Sequence, residues 1–148
     1  MNRQAPLLLS GTLALLTATS ASALEYKSLV DNAIVYDACS TKARPVFILR
    51  HGTPVEVIVS VDKWVKIREQ GGGLGCLPSE TLGNTRQVIV TASSADVLQK
   101  PEQGAPAAFS VAKDVILEAI DKPDGAWLKV RHSGGQSGYI PLKSVWGI

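Results

Sequence analysis

The sequence predicts an all-β fold built from two tandem copies of one small domain. A W-h-K-h-R pattern, in which h is aliphatic, occupies Trp64–Arg68 and recurs 63 positions later at Trp127–Arg131. Within short segments, apolar residues alternate with polar ones at the period of two that is typical of half-buried strands. Glycine-rich segments at 71–73 and 134–135 separate these runs, as turns between neighbouring strands do.

The internal repeat extends well beyond the tryptophan motif. Residues 75–78 (Gly-Cys-Leu-Pro) correspond to residues 138–141 (Gly-Tyr-Ile-Pro) at the same offset of 63. Upstream the offset is 62, where Val35 matches Val97 and Phe47 matches Phe109, because one residue is inserted in the turn at 121–125. Ordered matches over this length predict one structural unit used twice. We place the first domain at 24–83 and the second at 86–148, joined around residues 84–85.

The strands of each copy follow from local patterns. Val55, Val57, Val59 and Val61 alternate with Glu56, Ile58 and Ser60, which predicts a half-buried strand with the valines on its buried face. Residues 38–54 show little alternation and are interpreted as a long loop. Residues 79–82 and 142–145 are each expected to form a single 3₁₀ turn.

The N-terminal residues 1–23 have the pattern of a signal peptide. Arg3 precedes a largely apolar stretch at 6–17, and Ala21-Ser22-Ala23 fits the small-residue cleavage site. A membrane anchor is the alternative, but the stretch is shorter than the roughly 20 residues that span a bilayer. We therefore expect export, cleavage after Ala23, and a periplasmic or secreted mature protein without a membrane span.

The charge composition excludes some classes of partner. The chain has 15 Lys and Arg against 13 Asp and Glu, a formal net charge of +2, with no clustered basic run. A nearly neutral chain lacks the positive surface on which nucleic-acid binding depends. The same balance argues against anchoring on anionic lipid.

The residues that could support catalysis do not form a recognisable set. Cys39 or Cys76 with His51 or His132 would be the candidate nucleophile–base pairs, but no third orienting residue is evident. Zinc-type spacing between these residues is absent from the sequence. The glycines at 71–73 are not followed by the Lys-Ser/Thr of a phosphate loop. We expect no catalytic residue, no metal and no cofactor.

The motifs of both copies resemble the bacterial SH3 domain. Residues 124–131 (Asp-Gly-Ala-Trp-Leu-Lys-Val-Arg), followed by Gly-Tyr-Ile-Pro at 138–141, are similar to the turn, tryptophan strand and closing motif of that family. Residues 35–38 (Val-Tyr-Asp-Ala) resemble its opening motif. The resemblance implies two tandem SH3-like small β-barrels with a binding role. Thr81 and Ser144 replace an aromatic residue of SH3 domains that bind proline-rich peptides, and Leu98 stands where the first copy has Tyr36.

The resemblance and the strand pattern together predict which residues bind a ligand. If Val65 and Ile67 face the core, Trp64 lies on the opposite face with Lys66 and Arg68, and Trp127 is placed equivalently. A large indole on a polar face suggests a contact residue. The alternative is packing under the long loop or against the other copy. The predicted ligand-binding residues are Tyr36, Trp64, Pro78, Trp127, Tyr139 and Pro141.

The two cysteines are predicted to form a disulfide. An even cysteine count in an exported chain favours pairing. In SH3-like domains the position before the long loop lies near the aromatic position of the closing motif. In the second copy these positions are Pro101 and Tyr139, whereas in the first copy they are Cys39 and Cys76. Two buried free thiols are the alternative.

The leading functional hypothesis is a non-catalytic, periplasmic or cell-envelope binding module. The resemblance implies peptidoglycan or an exported protein or peptide as the ligand. A protein–protein adaptor or an inhibitor of a periplasmic enzyme is the alternative. An enzyme of the cysteine-peptidase type is a third hypothesis, because bacterial SH3 domains often accompany such peptidases.

Overall fold

A computed structural model describes residues 23–148, which form two antiparallel β-sheets of seven strands each. Residues 1–22, which include all but the last residue of the predicted signal peptide, lie outside the described residues. The strands of the first repeat are β1 Glu25–Leu29, β2 Ala33–Tyr36, β3 Pro45–Leu49, β4 Pro54–Val61, β5 Trp64–Arg68, β6 Leu74–Pro78 and β7 Leu82–Gly83. Those of the second are β8 Gln87–Val90, β9 Ser94–Leu98, β10 Ala107–Ala112, β11 Ile116–Ala119, β12 Trp127–Arg131, β13 Ser137–Pro141 and β14 Val145–Trp146.

The two sheets share one topology, which confirms the predicted tandem SH3-like fold. The strand order is β3-β2-β6-β5-β4-β1-β7 in the first repeat and β10-β9-β13-β12-β11-β8-β14 in the second. The barrels are open, because the terminal strands of each sheet, β3 with β7 and β10 with β14, are not paired with each other. The expected 3₁₀ turns follow Pro78 and Pro141, at Ser79–Thr81 and Leu142–Ser144.

Each sheet curves around its own apolar core. Val35, Val55, Ile67 and Leu77 are fully buried in the first repeat and come from four different strands. Val97, Leu117, Val130 and Ile140 are their counterparts in the second repeat, and all four are fully buried. Side chains from distant strands of one sheet meet only if that sheet bends, which explains the barrel-like shape.

Two sequence predictions for the first repeat were wrong. The segment 38–54 contains strand β3, paired with β2, so only part of it is a loop. Its apolar run lacked alternation because β3 exposes Val46 and Ile48 on the outer side. The valine face predicted for β4 is buried only at its start, because the register shifts between Val57 and Val59 and both Val59 and Val61 are exposed.

The same strand contains a buried charge that the alternation had assigned to the surface. Glu56 is only 7% exposed, and its Oε2 lies 2.8 Å from Nη1 of Arg68 on β5. The carboxylate is thus buried, while the guanidinium that pairs with it stays partly exposed to solvent. Beside it, burial and the nearby Glu56 charge raise the pKa of Tyr26.

The repeats are joined by three exposed residues, 84–86, and by direct contacts. Nη2 of Arg50 donates to the carbonyl oxygen of Asp114 at 2.6 Å, and Nε2 of Gln70 donates to Asp114 Oδ1 at 3.0 Å. The ring of Trp146 meets that of Tyr26 edge-on, with centroids 5.1 Å apart. Within residues 23–148 no helix is long and apolar enough to cross a membrane.

Candidate ligand-binding faces

Trp64 begins β5 on the outer face of the first repeat. A tight turn, in which Asp62 adopts a positive φ of 54°, connects β4 to β5 and sets Val61 opposite Trp64. Val65 and Ile67 are buried while Lys66 and Arg68 are exposed, so the predicted parity of the strand is confirmed. Trp64 itself is half-buried, which leaves part of the indole accessible.

Tyr36 and Pro78 lie beside Trp64 in the first repeat. The rings of Tyr36 and Trp64 meet edge-on with centroids 5.5 Å apart. Pro78 is the cross-strand partner of Trp64 in the β5–β6 pairing. Three of the predicted binding residues therefore form one half-buried cluster, which we call the first aromatic face. Trp64 therefore has a packing role as well as an accessible surface, because its ring contacts Tyr36 while the rest of the indole faces outward.

The predicted disulfide between Cys39 and Cys76 is present, with the two Cα atoms 5.1 Å apart. Cys76 lies on β6 opposite both Tyr36 and Lys66, at the edge of the first aromatic face. Its side chain is buried. The bond ties the loop after β2 to the middle of the sheet and so fixes the neighbourhood of Tyr36.

The loop that carries Cys39 is closed by an aspartate. Asp37 accepts the backbone N–H of Arg44 at 3.0 Å and the Nε–H of the same residue at 3.1 Å. The backbone N–H of Asp37 donates in return to the carbonyl of Arg44. These bonds, that from the Arg44 backbone foremost, hold the pKa of Asp37 below its ordinary value.

Trp127 and Pro141 line a groove in the second repeat. The turn at 123–125 positions Trp127, whose backbone exchanges two hydrogen bonds with Asp124. Trp127 pairs with Pro141 across β12 and β13, just as Trp64 pairs with Pro78. The groove beside them has a volume of about 660 Å³. Its lining also includes Ala95, Asp96, Leu98, Gln103, Gly104, Ala126, Leu142, Lys143 and Ser144.

The groove combines an apolar floor with charges of both signs. Leu98, Trp127 and Pro141 contribute apolar surface, whereas Asp96 and Lys143 contribute opposite charges. Leu98 occupies the position that Tyr36 holds in the first repeat. Such a lining suits an extended ligand that carries apolar groups together with an amine and a carboxylate.

Tyr139, the sixth predicted residue, is half-buried but is not part of the groove lining. It pairs with Lys129 across β12 and β13, and Nζ of Lys129 lies 6.0 Å from the centre of its ring. The same ammonium is 3.8 Å from Asp121 Oδ2. The backbone of Tyr139 is thus paired with Leu98 of the groove, but its ring lies beside Lys129 and does not line the groove.

Of the four residues in the candidate nucleophile–base pairs, His51 and His132 line one cavity together, whereas Cys39 and Cys76 do not line it. Both cysteines are bonded to each other, so neither offers a thiolate nucleophile. His51 is exposed, and Nδ1 of His132 accepts the backbone N–H of Gly134 at 3.1 Å. Within residues 23–148 no group of three or more His, Cys, Asp or Glu residues is arranged to hold a metal ion.

Sequence reasoning missed most of the groove lining. Asp96 lies in the middle of β9, Gln103 in the loop that follows it and Lys143 in a 3₁₀ turn, and none of the three belongs to a sequence motif. Leu98 was identified only as a departure from Tyr36.

Comparisons with known proteins agree with this architecture. The sequence matches the family described as bacterial SH3 domain twice, at residues 30–83 and 92–147. Since the two matches together span most of the chain, this protein belongs to the bacterial SH3 domain family and contains two copies in tandem. No curated protein sequence matches the chain.

Several solved structures resemble the chain at low identity. NlpC2 and NlpC1 from Trichomonas vaginalis are 13% and 14% identical, each with a TM-score of 0.39, over 86% and 88% of this chain and 49% and 50% of theirs. An NlpC/P60 family protein from Bacillus cereus ATCC 10987 is 14% identical with a TM-score of 0.39, over 82% of this chain and 56% of its own. The chain thus spans about half the length of these proteins.

Proposed function

We propose that the protein is a non-catalytic binding module of the cell envelope, which recognises peptidoglycan stem peptides or similar exported peptides. The observation that carries the proposal is the groove beside Trp127 and Pro141 in the second repeat. Its apolar floor fits the side chains of an extended peptide, and Asp96 and Lys143 complement an amine and a carboxylate. Stem peptides carry both of these charged groups.

Export to an oxidising compartment is part of the same proposal. The N-terminal pattern at 1–23 supports it from the sequence. The Cys39–Cys76 bond supports it independently, because disulfides persist in exported proteins and are rare in the reducing cytosol. A periplasmic or secreted location would bring the groove to the cell wall.

Binding of purified peptidoglycan fragments would test the proposal. Wild type, Trp64→Ala and Trp127→Ala would be titrated by calorimetry with disaccharide-peptides and with the same sugars lacking the peptide. Buried tryptophan anchors contribute about 2 kcal/mol or more to an interface, so we expect roughly 30-fold weaker binding in Trp127→Ala.

A matched control comes from Trp146, which packs on Tyr26 away from both faces. Trp146→Phe preserves an aromatic ring there and should leave fragment binding unchanged. Equal binding by wild type and Trp127→Ala would refute the role of the groove. Equal binding of sugars with and without the peptide would refute peptide recognition.

A further inference from the structure

The outer surface of the β2–β3 hairpin in the first repeat is apolar and exposed. Ile48 is 70% exposed, Val46 is 52% exposed and Ile34 is 42% exposed. Ile34 and Ile48 are direct cross-strand partners. With Pro45 and Phe47 the three residues line a shallow depression of about 270 Å³. We call Ile34, Val46 and Ile48 the apolar edge.

The second repeat shows that the fold does not require this apolar surface. At the offset of 62, the counterparts of Ile34, Val46 and Ile48 are Asp96, Ala108 and Ser110. Asp96 and Ser110 are also direct cross-strand partners, and the Ser110 hydroxyl donates to Asp96 Oδ1 at 2.5 Å. One strand pair thus carries two isoleucines in one repeat and a polar hydrogen bond in the other. Exposed apolar residues without a folding role mark a surface for interaction.

The apolar edge lies on the last strand of its sheet. β3 is paired only with β2, so its other side presents unpaired backbone groups. Natural edge strands are commonly protected by charged side chains or proline. β3 begins with Pro45, but its other four residues, 46–49, include neither a charge nor a proline, which leaves this part of the edge open to the addition of another strand.

The charges around the apolar edge decide which strand would fit. Lys42 and Arg44 precede β3, and Arg50 follows it. Arg44 is paired with Asp37, and Nη2 of Arg50 donates to the carbonyl oxygen of Asp114. Among residues 23–148 no carboxylate lies within ion-pair distance of Lys42 or Arg50, so both keep an uncompensated positive charge. The apolar centre is therefore flanked by positive charge at both ends.

This pattern disfavours pairing with a second copy of the chain. Antiparallel pairing that matches the apolar centres would set Phe47 opposite its own copy and Arg44 opposite Arg50. Like charges that face each other across strands are destabilising. A strand with acidic residues on both sides of its apolar centre avoids this repulsion and gains attraction instead.

We propose that β3 of the first repeat binds, by strand addition, an extended segment of another protein with alternating apolar residues and acidic residues on both flanks. The docking edge is separate from the groove of the second repeat, so it goes beyond peptide recognition there. Backbone hydrogen bonds would supply part of the affinity, and the isoleucine pair would select alternating apolar side chains.

Fluorescence anisotropy with a short labelled peptide of alternating Val and Thr, flanked by Asp and Glu, would test the proposal. The key variant is Ile34→Asp with Ile48→Ser, which installs the pair that the second repeat already accommodates. We expect it to weaken binding by roughly tenfold or more, since two aliphatic contacts are lost. Ile48→Ser alone, at a largely exposed position, should show an intermediate loss with native thermal unfolding.

Matched controls separate this edge from other surfaces. Val59→Ser removes a similarly exposed valine from β4 and should leave binding unchanged. Trp127→Ala is measured in parallel and reports on the groove of the second repeat. A loss of binding in Trp127→Ala without a loss in the Ile34→Asp, Ile48→Ser variant would assign the peptide to the groove and overturn the present proposal. A peptide with Lys in place of the acidic flanks should bind more weakly than the acidic one, and added salt should reduce the difference.

Three results would overturn the proposal. The first is unchanged peptide binding by the Ile34→Asp, Ile48→Ser variant. The second is equal binding of the acidic-flanked and basic-flanked peptides. The third is a concentration-dependent dimer of the wild type, detected by sedimentation, that the double variant abolishes, because the edge would then bind a second copy.

Discussion

Gly138 of β13 approaches Leu98 of β9 so closely that a side chain cannot fit between the two strands. A Cβ atom on Gly138 would lie 2.5 Å from the carbonyl oxygen of Leu98 and 2.8 Å from Cγ1 of Val97. Gly75, the equivalent residue of the first repeat, has the same relation to Val35 and to the carbonyl of Tyr36. Glycine at this position allows the sheet to close over its core in both repeats.

Gly138→Ala is therefore expected to destabilise the protein by about 1–3 kcal/mol, the range for overpacking at a site that must shift. Gly134→Ala is the matched control, because the new Cβ would meet only the flexible side chain of His132 at 3.3 Å. Urea unfolding followed by tryptophan fluorescence measures both. Equal unfolding midpoints for the two variants would contradict the packing argument.

The disulfide should contribute substantially to stability. Cys39 and Cys76 are 37 residues apart in sequence, and closing a loop of that length gives about 3–4 kcal/mol in the chain-entropy model. Replacing both cysteines with serine should lower the free energy of unfolding by up to this amount. Denatured, unreduced wild type should contain no titratable thiol; two thiols per chain would show that the bond does not form.

The loop between β2 and β3 should respond to acid through Asp37. Because the pKa of this carboxyl lies below its ordinary value of 3.8 in the folded protein, its ionised form stabilises the fold. That contribution is fully present above the unfolded pKa and is lost as the pH falls through the folded one. An NMR titration of the Asp37 carboxyl should give an apparent pKa below 3.8. Arg44→Ala, which removes the side-chain bond but keeps the backbone one, should raise it only in part; no change in this variant would refute the side-chain contribution.

Trp64 should matter less for stability than a core residue of similar strand position. It is half-buried and contacts Tyr36 edge-on, a contact that adds about 0.5–1.5 kcal/mol beyond burial. We expect a smaller loss of unfolding free energy for Trp64→Ala than for Leu128→Ala, where a fully buried side chain costs about 2–5 kcal/mol. Thermal and urea unfolding of the two variants provide the comparison. A larger loss for Trp64→Ala would mean that this tryptophan is mainly a packing residue.

The sequence predicted the elements whose pattern recurs in both repeats. The Trp64 and Trp127 strands, the 3₁₀ turns and the disulfide all follow from comparing one copy with the other. Strand β3 was missed because its exposed side is as apolar as its buried side, so the period of two disappears. Glu56 was misplaced because its burial depends on Arg68, twelve positions later, and on the irregularity in β4.

The groove was predicted only through its tryptophan and proline. Its remaining lining comes from loop and strand-end residues such as Gln103 and Lys143, whose proximity depends on tertiary folding. No local pattern encodes that proximity. The contacts between the repeats, centred on Asp114, were missed for the same reason.

Those contacts have a consequence for avidity. With only residues 84–86 between the sheets and Asp114 bonded to both Arg50 and Gln70, the first aromatic face and the groove beside Trp127 are held at a set spacing before any ligand arrives. On a polymer whose repeating units match that spacing, engagement of one face raises the effective concentration of the next unit at the other. Little further rotational freedom is lost in the second step. Cutting the two Asp114 hydrogen bonds would loosen this spacing and weaken attachment to the polymer, while the affinity of each face for a single soluble fragment would stay the same.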